Sequence, residues 1–343
     1  MKGWALVLKW RNSIFFLLIL LAFVIVGVFL YLIHIDPFAA FKALIRGGFL
    51  TKGAIVQTIL NATPLILTAF AFSLPYKANF WNIGGEGQLF LGGIASGWAG
   101  FALEGLPSYI HLPLVLLIGF SAGALWGLIP TLLKIRLDIN EVLTTMILNF
   151  IGMYFSIYLL FGPLGGKSKM PFTEMVALSA RMPGIGKVHV GFFIAILVGI
   201  LLYLVEKKTT FGFKLRALKS NPRAAEIGGI RHSRVIMITM IFGAGIAGFA
   251  GAVEVTGVYY YMWDQISVNY SFIGIIVAFF ARQNFMWIIP TGMFIGGLLV
   301  GGRLMQGLSG APVTASVLLI GLVMLMVAFS QALETRARAE TGE

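Results

Sequence analysis

A carboxylate and two amides lie at the start of an apolar run, in the sequence NIGGEGQ of residues 82–88. Three glycines surround Glu86, and Asn82 and Gln88 stand close to it. A carboxylate inside an apolar run is costly unless it is paired or faces water, so Glu86 is a candidate for a functional role. It could also cap a broken helix by accepting hydrogen bonds from free backbone N–H groups. Both interpretations remain open, and they are compatible.

A second polar group lies in the sequence NEVLTTMILNF of residues 140–150. Asn140 and Glu141 stand at a predicted helix start, where the helix dipole favours a carboxylate. The polar side chains that follow are Thr144, Thr145 and Asn149. We expect Asn140 and these three side chains to form one stripe that either lines a translocation path or bonds neighbouring helices, and for the threonines we favour the second role.

Other chemistries find little support in the sequence. Cysteine is absent and the four histidines are scattered singly, so we expect neither a metal site nor a disulfide. The segment GPLGGKS lacks a phosphate loop's first glycine, because Phe161 stands there. We therefore expect no cofactor and no ATP hydrolysis by this chain, and we do not predict an enzyme. Further polar residues that we expect to be buried are Glu254, Arg282, Arg303 and Gln306.

The elements that must position these residues are membrane helices. The chain has 343 residues, of which 59% are hydrophobic and only 11% are charged, and its mean hydropathy is +0.93. Apolar runs of about 17–25 residues recur, which is long enough for helices to cross a bilayer. Strands of about ten alternating residues do not occur, which argues against a membrane barrel. We predict an all-α polytopic membrane protein that forms one transmembrane domain over residues 1–343.

The apolar runs predict about ten transmembrane helices. The first run has no convincing cleavage site and is expected to be retained. Short, glycine-interrupted segments open at Asn82 and at Ser271, a layout typical of broken helices in transporters with inverted repeats. Small residues at four-residue spacing in three spans favour close helix packing. The predicted spans are 13–33, 53–73, 84–101, 112–133, 141–161, 189–205, 235–257, 271–281, 285–302 and 312–332.

The distribution of charge predicts the orientation. With both termini in the cytoplasm of a prokaryotic cell, 17 of the 25 Lys and Arg residues lie inside and eight lie outside. This asymmetry follows the positive-inside rule, so the net charge of +12 indicates contact with lipid headgroups rather than with nucleic acid. Residues 34–52 are predicted to form an interfacial helix, and residues 162–188 form the longest outer loop. A plain connector is the favoured interpretation of both, with contact to an outer partner as the alternative.

One basic segment, residues 206–234, must lie outside the lipid on the inner side. It carries eight cations against only Glu206 and Glu226. Its centre, LRALKSNPRAAEIGGI, predicts a short helix, a second short helix that starts at Asn221-Pro222, and a stop at a Gly-Gly pair. We interpret this segment as the surface that holds a soluble partner.

Four segments in this order resemble permeases of bacterial and archaeal ABC importers, a group that includes ribose and branched-chain amino acid permeases. NIGGEGQ, NEV with LNF, and Met305-Gln306 after a glycine run together look most like the nucleoside branch, for purine nucleosides or guanosine. The resemblance covers residues 37–332. The four segments are NIGGEGQ at 82–88, NEVLTTMILNF at 140–150, LRALKSNPRAAEIGGI at 215–230 and GIIVAFFARQNFMWIIP at 274–290.

The resemblance implies a complex and a mechanism. The partners would be an ABC ATPase subunit, a second permease that is commonly a paralogue, and an extracytoplasmic substrate-binding lipoprotein. ATP use in the partner would drive alternating access in the membrane. The residues expected to couple to the ATPase are Asn221, Pro222, Ala224, Ala225, Gly228 and Gly229, with the two alanines leaving room for docking. The residues expected to line or gate the path are Asn82, Glu86, Gln88, Asn140, Glu141 and Asn149.

Two departures and three alternatives stand beside this interpretation. Lys219 and Arg223 replace residues that are acidic or neutral in the familiar pattern, which leaves the choice of partner open. The cargo could be a sugar or a branched-chain amino acid within the same family. The chain could instead be an ion-coupled secondary transporter in which Glu86 or Glu254 carries protons or sodium. A membrane enzyme acting on lipids is the third alternative.

Overall fold

The computed structural model describes residues 11–166 and 170–341 and is almost entirely helical. The chain divides into two compact units, one made of Met1–Ala62 with Met293–Glu343 and the other of Thr63–Gly292. The prediction of one domain over residues 1–343 stays a prediction. The α-helices of the described residues are α1 (Arg11–Leu32), α2 (Pro37–Ile45), α3 (Lys52–Tyr76), α4 (Gly85–Ala102), α5 (Ser108–Leu137), α6 (Glu141–Phe161), α7 (Gly191–Lys208), α8 (Thr210–Ser220), α9 (Pro222–Ile227), α10 (His232–Glu254), α11 (Tyr270–Phe280), α12 (Phe285–Ser309) and α13 (Val313–Thr341).

Each predicted span coincides with one of these helices, and the prediction of an all-α membrane protein is confirmed. Within the described residues, six helices are long and apolar enough to cross a membrane: α3, α5, α6, α10 extended to Tyr259, α12 and the Thr314–Glu334 part of α13. Shorter apolar helices are Phe16–Leu32 in α1 and the whole of α11. The number of crossings, about ten, therefore stays a prediction.

In the larger unit, helices α4, α5 and α10 cross at glycines, as the four-residue spacing of small residues predicted. A Cβ atom added to Gly92 would lie 2.2 Å from the carbonyl oxygen of Gly248. A Cβ atom added to Gly248 would in turn lie 2.4 Å from the carbonyl oxygen of Gly119. The backbones of three helices thus touch, which only small residues allow.

In the smaller unit, α1 packs beside α13, and α2 continues into a π-helical turn, Arg46–Leu50. The side chain of Asp36 caps α2 by accepting from the backbone N–H of Phe38 at 2.9 Å. Glycines again allow close approach, because a Cβ atom on Gly48 would lie 2.2 Å from the carbonyl oxygen of Gly297. The predicted interfacial segment is therefore helical, while its position relative to a membrane stays a prediction.

The predicted outer loop is fastened to the segment that follows α10. The backbone N–H of Thr173 donates to the carbonyl of Met262 at 2.9 Å, and that of Val176 donates to Tyr260 at 2.8 Å. A two-stranded antiparallel hairpin, β1 (Gly184–Ile185) and β2 (Val188–His189), closes the loop. The sequence did not indicate this hairpin, because each strand has only two residues.

Candidate functional site

The predicted polar run at residues 82–88 forms a buried joint at the start of α4. The side-chain amides of Asn82 and Gln88 bond each other in both directions, with N···O distances of 3.0 and 2.9 Å. Asn82 Nδ2 also donates to the carbonyl of Ala71 on α3, at 3.4 Å. Both amides are buried, and this pairing satisfies polar groups that would otherwise be costly there.

Glu86 connects the starts of two helices. It lies in the first turn of α4, is 1% exposed, and accepts a hydrogen bond from the backbone N–H of Ser271 through Oε2, at 2.9 Å. Ser271 is in the first turn of α11, where free N–H groups and the positive end of the helix dipole favour an anion. A Cβ atom on Gly85 would lie 2.2 Å from Ser271 Oγ, so glycine at this position leaves room for the serine side chain as it is placed. The predicted capping role is thus realised, across helices.

Asn149 holds the same joint from α6. Its Oδ1 accepts from the backbone N–H of Gly87 at 2.7 Å, and its Nδ2 donates to the carbonyl of Ile83 at 2.7 Å. Thr145, one turn earlier, accepts from the N–H of Ile83 at 3.3 Å. The side-chain amide of Asn149 therefore bonds one residue before the start of α4 and one residue after it, which fixes this segment against α6.

Asn140 and Glu141 lie apart from this joint, at the start of α6. Asn140 is exposed and caps the helix through Oδ1, which accepts from the N–H groups of Val142 and Leu143 at 2.9 and 3.2 Å. Glu141 forms an ion pair with Lys134 at 3.3 Å. The expectation of a single polar stripe is therefore wrong: the face that meets α4 carries Thr145 and Asn149, and Asn140 is not on it.

We call Asn82, Glu86, Gln88, Asn149 and Ser271 the helix-start junction. Four of its members were predicted from the sequence, and the fifth, Ser271, was recognised only as the opening of a short segment. The junction's polar groups bond one another or the backbone, which suits a joint that holds helices together. Their assignment to a substrate path or gate stays a prediction.

The other polar candidates fall into two groups. Glu254 is buried in α10, and its Oε1 has no hydrogen-bond partner among the described residues. In contrast, Arg282, Arg303 and Gln306 are exposed, so the expectation that they are buried in the chain is wrong. Sequence hydropathy could not separate these cases, because the direction in which a side chain points within a span depends on its neighbours.

The basic segment folds as its sequence predicted. Helix α8 ends at Ser220, and Asn221 starts α9 by accepting from the N–H of Ala224 through Oδ1, at 3.0 Å. Pro222 occupies the first turn, where its missing N–H costs nothing. Gly228 follows the helix, and Gly229 has φ +84°, a left-handed conformation that glycine adopts readily.

The two alanines of α9 point in different directions. Ala224 is exposed and the neighbouring Ile227 is 84% exposed, so this face is free in the chain. Ala225 is only 7% exposed and packs inward. Ala224 is therefore accessible to a partner while Ala225 is not, and the docking role expected for the two alanines stays a prediction.

Six long apolar helices among the described residues, together with buried polar side chains where the shorter helices α4 and α11 begin, indicate a multi-pass membrane protein of the transporter class. The chain belongs to the family of branched-chain amino acid transport system permease components, whose model matches residues 54–328. It is a permease component of an ABC transporter, and the prediction that it is a transport subunit rather than an enzyme is confirmed. Membership implies an ATPase, a binding protein and a second permease as partners.

Several curated proteins are similar over most of their length. The guanosine ABC transporter permease protein NupP of Bacillus subtilis is 32% identical over 308 residues, 86% of each chain. The glucose ABC transporter permease protein TsgB13 of Haloferax volcanii is 30% identical over 92% of this chain and 86% of its own. The nucleoside ABC transporter permease protein NupB of Lactococcus lactis is 28% identical over 77% of this chain and 75% of its own. The resemblance to nucleoside permeases is confirmed.

Proposed function

We propose that this chain is the permease subunit of an ATP-driven importer of nucleosides. Its complex would contain an ABC ATPase, a second, paralogous permease and an extracytoplasmic substrate-binding lipoprotein. Two similar permeases are named for guanosine or nucleosides, which supports this cargo. Another is named for glucose, so a sugar is the second candidate.

The proposed location is the cell membrane of a prokaryote, with both termini in the cytoplasm and one transmembrane domain over residues 1–343. The distribution of Lys and Arg supports this orientation by the positive-inside rule. In this proposed orientation the basic segment, with α8 and α9, would lie in the cytoplasm, where a soluble ATPase could reach it.

The observation that carries the coupling role is the exposed face of α9. Ile227 is 84% exposed on a short helix outside the apolar runs, and no lipid would cover it there. A large apolar side chain at the centre of an interface is a typical binding anchor. We assign Asn221, Pro222, Gly228 and Gly229 to the shape of this helix, Ala224 and Ile227 to contact with the ATPase, and Ala225 to packing within the chain.

The helix-start junction is the proposed gate. Because Glu86 joins the first turns of α4 and α11, a movement that separates these turns must break its bond to Ser271. The amide pair of Asn82 and Gln88 holds the start of α4 in shape, and the clamp by Asn149 fixes it to α6, so such a movement carries α11 away from a braced helix start. Asn140 and Glu141, at the inner end of α6, would line the cytoplasmic mouth. This arrangement fits alternating access, in which broken helices rearrange around the cargo.

The function is tested with the full complex in proteoliposomes. Guanosine with the binding lipoprotein should raise ATP turnover and drive uptake, while glucose and leucine should do so less. Higher ATP turnover with glucose than with guanosine would show that the cargo is a sugar rather than a nucleoside. Uptake that proceeds without the ATPase under an ion gradient would overturn the proposal in favour of ion coupling.

The docking face is tested by Ala224→Trp and Ile227→Asp, each of which alters an exposed side chain of α9. Both should weaken co-purification of the ATPase, because an interface anchor is typically worth at least about 2 kcal/mol. Ala102→Trp is the matched control, since Ala102 is exposed at the predicted outer end of α4. Unchanged co-purification of the two α9 variants would exclude this face.

A further inference from the structure

The short turn between α3 and the helix-start junction is held by the basic segment. The turn comprises Tyr76, Lys77, Ala78 and Asn79, and we call it the α3 turn. Asn79 Nδ2 donates to the carbonyl of Leu218 on α8 at 2.9 Å. Asn79 has φ +57°, a left-handed conformation that asparagine tolerates better than most residues. Its backbone and its side chain therefore both serve the contact with α8.

An ion pair makes the second contact. Lys77 Nζ lies 2.8 Å from Glu206 Oε1, and both side chains are largely shielded, with 14% and 11% of their surface exposed. Glu206 is in the last turn of α7, and its carbonyl also accepts a hydrogen bond from Arg216 of α8. Solvent and salt screen a partly buried ion pair less than an exposed one, so the attraction between Lys77 and Glu206 stays strong. This contact can therefore couple movement of α7 to the α3 turn.

Two further contacts hold the turn. Lys219 of α8 lies 3.7 Å above the ring of Tyr76 and 3.4 Å from its carbonyl oxygen. The ring of His232, at the start of α10, lies 3.0 Å from the carbonyl oxygen of Ala78 through Nε2. Each of the four residues of the α3 turn thus touches an element that borders or belongs to the basic segment.

The other end of the turn leads directly into the junction. Asn82, with its buried amide pair, comes three positions after Asn79. Trp81 stacks edge-on against Tyr76 at 5.1 Å between ring centroids and also contacts Phe279, in the last turn of α11, at 6.1 Å. The turn therefore reaches both ends of α11, through Trp81 at its last turn and through Glu86 at its first.

We propose that the α3 turn transmits movement of the basic segment to the helix-start junction, with Asn79 and Lys77 as positioning residues. This inference rests on the proposed function, since it requires α9 to contact the ATPase. Energetic coupling between distant sites needs a contiguous physical connection, and this one is short: α8, the α3 turn, Asn82, and then Glu86 with Ser271. Displacement of α8 pulls on Asn79 and Lys77 and so on the neighbouring Asn82. This movement weakens the hydrogen bond between Glu86 and Ser271, which keeps the starts of α4 and α11 together.

The first test replaces Asn79 by glycine, which keeps the left-handed backbone without strain and removes only the side-chain bond. The readout is substrate transported per ATP hydrolysed by the complete transporter in proteoliposomes. We expect this ratio to fall about fivefold while the ATPase still co-purifies, because one lost hydrogen bond weakens an equilibrium by roughly that factor. Asn284→Gly is the matched control, since Asn284 only caps α12 at another turn of the predicted inner side. An unchanged ratio for Asn79→Gly would overturn the role of Asn79.

The second test exchanges charges, in case the first variant fails to fold. Lys77→Glu and Glu206→Lys each place like charges together and should lower the transport ratio. The double variant restores a pair of opposite charges. Its transport ratio should return to within about twofold of the wild-type ratio, because the effects of substitutions at contacting residues are not additive. Recovery would support transmission through this pair. Single variants that transport normally, or a double variant that does not recover, would overturn it.

These outcomes separate the inference from the function on which it rests. If Ile227→Asp leaves ATPase binding and transport intact, the docking face is wrong and the transmission route falls with it. If Ile227→Asp abolishes binding while the variants of Asn79 and Lys77 keep a normal ratio, the docking face stands and the α3 turn is not the route.

Discussion

The carboxylate of Glu86 and the backbone N–H of Ser271 join two helices at their first turns, at a distance of 2.9 Å and across 185 positions of the chain. One carboxyl group thereby lies at two positive helix ends, that of α4, in which it stands, and that of α11, whose Ser271 N–H it accepts from. This arrangement explains how a carboxylate can be buried among apolar residues.

Replacing Glu86 by alanine should destabilise the protein, because the N–H of Ser271 would lose its acceptor. We expect the free energy of unfolding to fall by about 2 kcal/mol, and by less for Glu86→Gln, whose amide oxygen can still accept. Denaturant unfolding in detergent would measure this. Glu104→Ala is the control, since Glu104 is exposed beyond the end of α4. Equal stability of the alanine and wild-type proteins would show that the bond contributes nothing.

Replacing Asn149 by leucine should be more damaging than the same change at Asn140. The first leaves the N–H of Gly87 and the carbonyl of Ile83 unpaired in a buried place, at a cost of about 2–4 kcal/mol. The second removes an exposed cap worth about 1 kcal/mol. Unfolding of both variants under the same conditions gives the comparison. A reversed order would contradict the clamp assigned to Asn149.

Adding a methyl group at Gly248 should disrupt the crossing of α4, α5 and α10, because the new Cβ atom would meet backbone atoms 2.4 Å away. Overpacking of this kind costs about 1–3 kcal/mol. Gly321→Ala is the control, since Gly321 lies inside α13 with no atom within 4 Å of a new Cβ, and the change should be neutral or stabilising by up to about 1 kcal/mol. Thermal unfolding of both variants tests the contrast.

Backbone amide hydrogens of the predicted outer loop should exchange with solvent more slowly than is usual for an irregular segment. The N–H groups of Thr173, Val176 and Met182 donate to carbonyls between residues 256 and 262, so their exchange requires the two segments to separate. We expect them to exchange at least about tenfold more slowly than those of the hairpin turn at residues 186–187. Hydrogen exchange followed by mass spectrometry measures both. Equal rates would show that the loop opens freely.

Lys219 should titrate below the usual range of a lysine. Partial burial and, secondarily, the positive charge of Lys77 lower the pKa of Lys219. A lowered pKa increases the neutral fraction at a given pH, and the neutral amine is the reactive form. Lys77→Met should raise this pKa and slow amine modification of Lys219 at about pH 9, measured by mass spectrometry. Lys214, exposed on the same helix, is the internal control, and equal slowing of both would contradict the pairwise effect.

The sequence was sufficient for the elements that depend on local composition. The span predicted at 271–281 is the helix Tyr270–Phe280, because its apolar run and the polar residues around it are visible in the local sequence. The break at Asn221 and Pro222 was likewise readable, since the cap and the proline act within one turn. In such cases the residues that cause a structural feature lie within that feature of the chain.

The contacts of the junction could not be predicted in this way. Glu86 and Ser271 are brought together by the packing of α4 and α11, which no local pattern specifies. The error over the polar stripe had a readable signal, however. Asn140 and Asn149 are nine positions apart, a rotation of about 180° beyond two full turns, whereas Thr145 and Asn149 share a face. The α3 turn was missed because the left-handed backbone of Asn79 depends on its tertiary contact with α8.

The glycine crossing of α4, α5 and α10 also limits how residues 63–292 can deform. Where backbones touch at Gly92, Gly119 and Gly248, no side chain can change its rotamer to absorb sliding. The three helices must therefore swing as one block, and bending is confined to their ends. Two ends depart from α-helical hydrogen bonding: the residues before Gly85 and the π-helical turn Val255–Tyr259 after α10. In a conformational change of this permease, the chain would bend at those two places.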